Sequence, residues 1–425
     1  MYNINNIKSY LNFEIMNNVR EINICEVCKN KDLVSVLDLG KLPLCDDLIP
    51  IDSSKICIEY PTEVLFCKKC ATAHQRFQVN KRNLFPDTYH YRARFTIDVL
   101  NGMEDLVKNC INNYGEINNK KVLDIGCNDG SLLNFFRKKG AKTFGIEPTG
   151  AALEAREQGH SIINSFFDLK TSLDFVSKYG KPDFITFTNV FAHIEDLDSL
   201  LTSVKQLMHE DTVLVIENHY LGSILKTNQF DTFYHEHPRS YSYSSFLKIA
   251  KSLNLKITEL QFPERYGGNI RIFLDKIKSK KNIDLEFSNE LIEKEKNFEK
   301  LFFQMSNNID IWKKSKLNEI ENLKNNNNKI LAKAFPGRAA ILIRLLELDE
   351  NTIYAVYEKN GSKKIGNYIP GTRIPILSDD ELFKSNLSLP ILNLAWHIPE
   401  EIRDYLKKNK VNTSVVDIIN QNDFI

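Results

Sequence analysis

The stretch Val122-Leu-Asp-Ile-Gly-Cys-Asn-Asp-Gly130 decides the fold of this chain. Residues 122–125 read as a buried strand. Gly126 and Gly130 let the chain turn tightly out of it and bring backbone close to a ligand. Strand-like apolar runs recur at 142–146, 184–188, 213–216 and 270–274, with helical segments between them. That alternation predicts a doubly wound α/β sheet. Further on, Phe298, Phe302, Met305, Ile309 and Trp312 recur at four-three spacing, which predicts an amphipathic helix ended by the asparagine run at 325–328. Strands resume at 330–334, 353–357 and 391–395, a second and smaller α/β unit.

The glycine spacing is not the G-x-G-x-x-G of dinucleotide-binding turns. It is closer to the G-x-N-D-G turn of class I methyltransferases. Phe144-Gly-Ile-Glu147-Pro ends the next strand with a carboxylate, about 20 residues past the first glycine, where an acid accepts hydrogen bonds from ribose hydroxyls. The glycine turn alone also fits a dehydrogenase or a packing turn. Glu147 at the strand end makes S-adenosylmethionine the leading ligand. The expected cofactor residues are Asp124, Gly126, Asn128, Gly130, Glu147 and Asn189.

Ahead of this unit stand two Cys-x-x-Cys pairs, Cys25/Cys28 and Cys67/Cys70. Thiolates two residues apart face one metal from a tight knuckle, and two knuckles complete a tetrahedron around zinc. Four thiolates leave no open coordination position, so a structural metal is expected, in a small piece with little core of its own. Cys45, Cys57, Cys110 and Cys127 lack partners at this spacing and read as small buried apolar residues.

Phe233-Tyr234-His235-Glu236-His237 gathers ionisable and aromatic groups in one short segment. A further imidazole, His193, follows the strand at 184–188, and in open α/β sheets the ligand crevice lies at such strand ends. A His-x-His pair also fits a metal; beside a methyl donor, acid/base work is the favoured reading.

The 425 residues are too many for one core. The expected division is a zinc-binding domain over 21–85, a methyltransferase domain over 86–280, and a helical connector with a Rossmann-like domain over 281–425. The net charge of +1 provides no bulk attraction to nucleic acid or anionic membrane. No apolar run approaches a membrane span, and residues 1–20 are Asn-rich with no secretory-signal pattern. Paired cysteines in such a chain favour metal thiolates in a reducing cytoplasm.

With these residues in hand, the chain resembles the S-adenosylmethionine-dependent sugar C-methyltransferases that act on nucleotide-linked keto-deoxysugars. The resemblance rests on the two Cys pairs, Tyr89-His-Tyr91-Arg-Ala-Arg94-Phe, the 122–130 stretch, Gly145-Ile-Glu-Pro148, Asn189-Val-Phe-Ala-His193, Phe230-Asp-Thr-Phe-Tyr-His-Glu-His237, Gly267-Gly-Asn-Ile-Arg271 and Tyr368-Ile-Pro-Gly-Thr-Arg-Ile-Pro375. It implies a zinc domain, a central methyltransferase domain and a C-terminal Rossmann-like domain, with the nucleotide-sugar between the last two. It also implies that His237 removes the proton beside the ketone and that Tyr234, Glu236 and His193 line the same pocket. Tyr89 or Tyr91 would reach in, and Gly267, Gly268 and Arg271 would lie beside the sugar. Three positions depart from the family pattern: Arg92 and Arg94 in the first tyrosine segment, Tyr266 before the double glycine, and Phe335-Pro-Gly-Arg-Ala-Ala-Ile-Leu342 where hydroxyl residues are common. Sugar O-methylation is the alternative enzyme reading. A zinc-ribbon nucleic-acid binder is the alternative outside enzymes, and the chain has no basic stripe to support it.

Overall fold

The computed structural model describes residues 18–86, 89, 91–276, 283–324, 329–385 and 389–424. The decisive stretch forms β1 (Lys121–Ile125), in which Val122, Leu123 and Ile125 are buried. It is joined by β2 (Lys142–Ile146), β3 (Ser161–Ile163), β4 (Phe184–Thr188), β5 (Val213–His219), β6 (Lys256–Gln261) and β7 (Asn269–Asp275) in one sheet of order β3-β2-β1-β4-β5-β7-β6. All neighbours run parallel except β7, which is antiparallel to both β5 and β6. This is the doubly wound sheet of class I methyltransferases. Strand order reverses between β1 and β4, so the crevice opens at their carboxyl ends.

The cysteine-bearing unit is an antiparallel sheet of Val34–Pro43, Glu59–Cys67 and Thr72–Gln75. Its fourth strand is borrowed: Arg239–Ser240, which follows the histidine segment, pairs Arg239 with His74 and Ser240 with Ala73. The C-terminal unit is an all-parallel sheet of order Ile376–Ser378, Ile353–Glu358, Ile330–Lys333, Ile391–Asn393, Val415–Asp417. Its order also reverses, between Ile330–Lys333 and Ile391–Asn393.

The amphipathic stripe forms the helix Phe298–Leu323, with Phe298, Phe302, Met305, Ile309 and Trp312 all buried. Phe302 packs against Phe66 of the cysteine-bearing sheet and Phe233 of the histidine segment, at ring separations of 5.6 and 5.5 Å. Trp312 donates its indole N–H to the Ile418 carbonyl at 3.0 Å. One helix therefore clamps three units. The asparagine run expected to end it lies outside the described residues. Among the described residues no helix is long and apolar enough to cross a membrane.

Candidate active site

A single cavity of about 1240 Å³ lies at the carboxyl ends of β1, β2, β4 and β5, roofed by residues of the C-terminal unit. At its β1 corner Gly126 has φ +69°, and a Cβ there would sit 2.5 Å from Val190 Cγ2. Neither the backbone nor the space admits a side chain, which is what a close ligand cradle requires. The Asn128 N–H donates to Glu147 Oε2 at 3.0 Å, while the Thr149 N–H and hydroxyl donate to Oε1 at 2.9 and 2.6 Å. A carboxylate accepts about four such bonds, so Glu147 keeps room for one more at the cavity. Asp124 and Asn189 also border the cavity. Burial pushes the Asp124 carboxyl up to about 7, against the pull of the Thr186 hydroxyl that donates to it at 2.7 Å. Gly130 does not border the cavity; with φ +81° it opens the helix Ser131–Lys138, a backbone role. These residues fit S-adenosylmethionine.

The segment 91–96 straps over this corner. The Asn128 side chain accepts from the Ala93 N–H and donates to the Tyr91 carbonyl, both at 3.1 Å. Arg92 and Arg94, which depart from the family pattern, both pair with Glu154 and so fasten the strap to the helix Ala151–Glu157.

Across the cavity stand all six residues assigned acid/base or pocket roles: Tyr89, Tyr91, His193, Tyr234, Glu236 and His237. His237 lies 3.0 Å from the Thr232 carbonyl through Nδ1. A carbonyl only accepts, so Nδ1 carries the proton. Nε2 is then the basic nitrogen, and no hydrogen bond occupies it among the described residues. The Tyr234 ring lies 4.4 Å from His237, and the His193 ring 4.8 Å. His193 is committed differently: Nδ1 donates to the Glu236 carbonyl at 2.7 Å, and the ring is also held by the backbone of Asn189. The Tyr89 hydroxyl donates to Glu236 Oε2 at 3.3 Å. Burial, with the nearby Asp46 charge, holds the Glu236 carboxyl well above its ordinary value, so it stands protonated. Burial and the neighbouring His193 and His219 hold His237 well below its ordinary value, so it stands neutral. Tyr91 meets Tyr266 hydroxyl to hydroxyl at 2.8 Å.

Besides Gly130, other expectations fail: Gly268 does not border the cavity and packs against Ser223. Arg271 is not beside the cavity: it is buried in the sheet and paired with Glu217 and Asp105, both at 2.7 Å. His235 turns away from its neighbours in the segment and bonds Thr62 Oγ1 at 3.0 Å. Among the cavity residues to which the sequence reading gave no role are His219 and Arg338. His219, at the end of β5, lies 5.4 Å ring to ring from His237. Arg338, at the head of the helix Ala339–Leu345, pairs with Asp231 and donates to Thr232 Oγ1, both at 3.1 Å.

Behind the histidine segment, the sulfurs of Cys25, Cys28, Cys67 and Cys70 all lie within 4.8 Å of one another, with Cys25–Cys70 and Cys28–Cys67 at 3.5 Å. Sulfurs tetrahedral about zinc at 2.3 Å sit roughly 3.8 Å apart, so the four thiols fit that ion, which here is structural. None of the eight cysteines forms a disulfide.

Three family models match successive parts of the chain. The family model described as "Putative zinc binding domain" matches residues 25–85, "Methyltransferase domain" matches 95–260, and "C-methyltransferase C-terminal domain" matches 264–416. The C-methyltransferase NovU of Streptomyces niveus is 29% identical over 257 residues, 60% of this chain and 61% of that protein. A ubiquinone biosynthesis O-methyltransferase of Histophilus somni is 35% identical over 106 residues, 22% of this chain and 43% of that protein. The chain thus spans less than two thirds of the length of either relative. Among solved structures, magnesium protoporphyrin IX methyltransferase from Synechocystis with bound SAH is 16% identical, covering 42% of this chain and 83% of that one at a TM-score of 0.33. The three models succeed one another along a single chain, the first over the cysteine-bearing sheet, the second over β1 to most of β6, and the third from before β7 through the second parallel sheet. In this order of domains the chain is similar to the S-adenosylmethionine-dependent C-methyltransferases that carry a zinc-binding domain.

Proposed function

We propose that the protein methylates a carbon beside the ketone of a nucleotide-linked keto-deoxysugar. The observation that carries this reading is His237. Its Nδ1 proton is spent on the Thr232 carbonyl, and its Nε2 is open in the cavity that also holds the cofactor cradle. A ketone acidifies its neighbouring C–H, and a neutral imidazole takes that proton. Nε2 gains the proton, and the C–H electron pair moves into the enolate. The protonated Glu236 carboxyl and the Tyr234 hydroxyl supply donors near the developing oxyanion. S-adenosylmethionine, held at Gly126, Asn128 and Glu147, supplies an electrophilic methyl group when bound. The strap at 91–96 covers the cofactor corner through its bonds to Asn128. O-methylation would need a base at a hydroxyl and no donors for an enolate, so the set of groups here favours carbon.

The test is a panel of nucleotide-4-ketosugars with methyl-labelled S-adenosylmethionine, followed by carbon NMR of the product. A new C–C methyl is expected, together with solvent deuterium entering beside the ketone in a His237-dependent way. A methoxyl carbon would replace this reading with O-methylation.

A further inference from the structure

His219 is the residue of this cavity with the least explained surroundings. Its ring stacks on Tyr266 at 5.5 Å and 19° and meets His237 edge-on at 5.4 Å. Nδ1 is buried and bonds nothing among the described residues, and neither polar atom of the neighbouring Asn218 side chain finds a partner there. A void of about 10 Å³ borders Asn218, His219, His237 and Arg239. That is about the space one water needs, and the orphaned polar atoms beside it provide the partners a buried water requires. His219 also borders the large cavity.

We infer that His219 is a further catalytic residue: its Nε2–H donates a hydrogen bond to the ketone oxygen of the substrate, while a water in the void, held by Asn218, donates to Nδ1 and fixes the proton on Nε2. This rests on the C-methylation reading above. When His237 Nε2 takes the carbon-bound proton, the electron pair released from carbon places negative charge on the ketone oxygen. The His219 N–H bonds that oxygen without giving up its proton. The ring must remain neutral to keep this tautomer. Burial first, then the charges of Arg338 and Arg265 and the neighbouring His193, hold it down at about 3. A preorganised neutral donor of this kind is effective where charge develops. Tyr266 supplies the stacking face that sets the plane of the ring.

The experiment compares His219→Gln, which keeps an N–H donor, with His219→Met, which fills the space without one. The probe is dTDP-4-keto-6-deoxyglucose in deuterium oxide, with methyl transfer measured in parallel and S-adenosylmethionine affinity as the control. The Met variant should lose roughly 10²–10³-fold in exchange and transfer, as for loss of one oxyanion donor. The Gln variant should lose far less, and both should bind the cofactor as the wild type does. Should the Met variant fail to fold, nitrogen-15 NMR of histidine-labelled wild type reads the same point. A neutral ring protonated at Nε2 and perturbed by the ketosugar is expected; a ring protonated at Nδ1 or at both nitrogens overturns the assignment. Equal rates in the Gln and Met variants overturn it as well. A wild type that neither exchanges nor methylates any ketosugar overturns the functional reading, and this inference with it.

Discussion

Glu26→Gln tests whether the zinc knuckle and the histidine pocket form one mechanical unit. Glu26 lies between Cys25 and Cys28, and its carboxylate meets Arg239, whose side chain is fully buried. Arg239 also donates to the Ile194 and Glu195 carbonyls, beside His193, and to the Tyr241 hydroxyl at 2.9 Å. It stands two residues beyond His237. The glutamine amide keeps one acceptor oxygen for Arg239 and Gln78, turns the oxygen that accepts from Arg20 into a donor, and leaves the guanidinium buried without a counter-ion. Breaking a buried pair from one side costs about 3–5 kcal/mol. Glu26 is 11% exposed and the acceptor survives, so the lower end, about 3 kcal/mol, applies. If local opening of the knuckle limits zinc loss, release to a chelator should speed by about 100-fold, since 1.4 kcal/mol is a factor of ten. The same variant should broaden or shift the His193 and His237 ring signals. Arg20→Gln is the control: Arg20 also pairs with Glu26 but is 53% exposed, and an exposed pair contributes under about 1 kcal/mol. Release in Glu26→Gln within threefold of wild type, or equal to that of Arg20→Gln, would refute the coupling.

Purified protein should carry one zinc bound by four sulfurs; Cys67→Ser should lower zinc content and thermal stability, and sulfur-free X-ray absorption at the zinc edge would contradict the site. Glu147→Ala should weaken S-adenosylmethionine binding by about 1.5–3 kcal/mol, the value of one hydrogen bond to a charged group, because three protein donors already occupy the carboxylate; unchanged calorimetric affinity would move the ribose elsewhere. His237→Gln should cut methyl transfer by roughly 10²–10⁴-fold, as for loss of a general base, with cofactor binding intact. In the wild type the acid limb of kcat/KM should fall below the ordinary histidine value of 6.5, because His237 is held neutral and loses its basic form only as pH drops through its lowered pKa; a limb above 6.5 would assign the base to another group.

The sheet was legible because its central strands are parallel and buried on both faces, so runs such as 122–125 and 184–188 are largely apolar, broken only by Asp124, Thr186 and Thr188. β5 was cut short at 216 for the opposite reason. Its last residues, Glu217, Asn218 and His219, are polar, and nothing local announces that Glu217 is neutralised by Arg265 and Arg271 in the core. That truncation hid His219: a strand read to its true end would have carried the crevice rule to it. The same pair explains Arg271, whose partner lies 54 positions away. His235 was grouped with its neighbours by proximity in sequence, yet its side chain points to the sheet that holds Thr62. Gly126 and Glu147 stood out because the backbone and the ligand constrain them locally. Arg338 sits in a Pro-Gly-Arg turn whose signal is only that of a loop.

The arrangement of the two sheets makes one cavity out of two half-sites. In each, strand order reverses at a pair of central strands, and in open α/β sheets that reversal opens a crevice for a ligand. Gly126 and Asn189 follow the reversal strands of one sheet; Pro336, Arg338 and Trp396 follow those of the other, and all border the same cavity. The Arg338–Asp231 pair and the Arg338 bond to Thr232 cross between them. Thr232 in turn accepts the His237 Nδ1 proton on its carbonyl. His237 is thus oriented by a residue that the C-terminal unit touches directly, while the Arg239–Ser240 strand that follows it is held by the cysteine-bearing sheet. A methyltransferase sheet alone would leave Phe230–His237 as an unsupported loop over an open crevice. Each flanking unit fixes one end of that loop, which accounts physically for a methyl-transfer sheet being fused to two further domains.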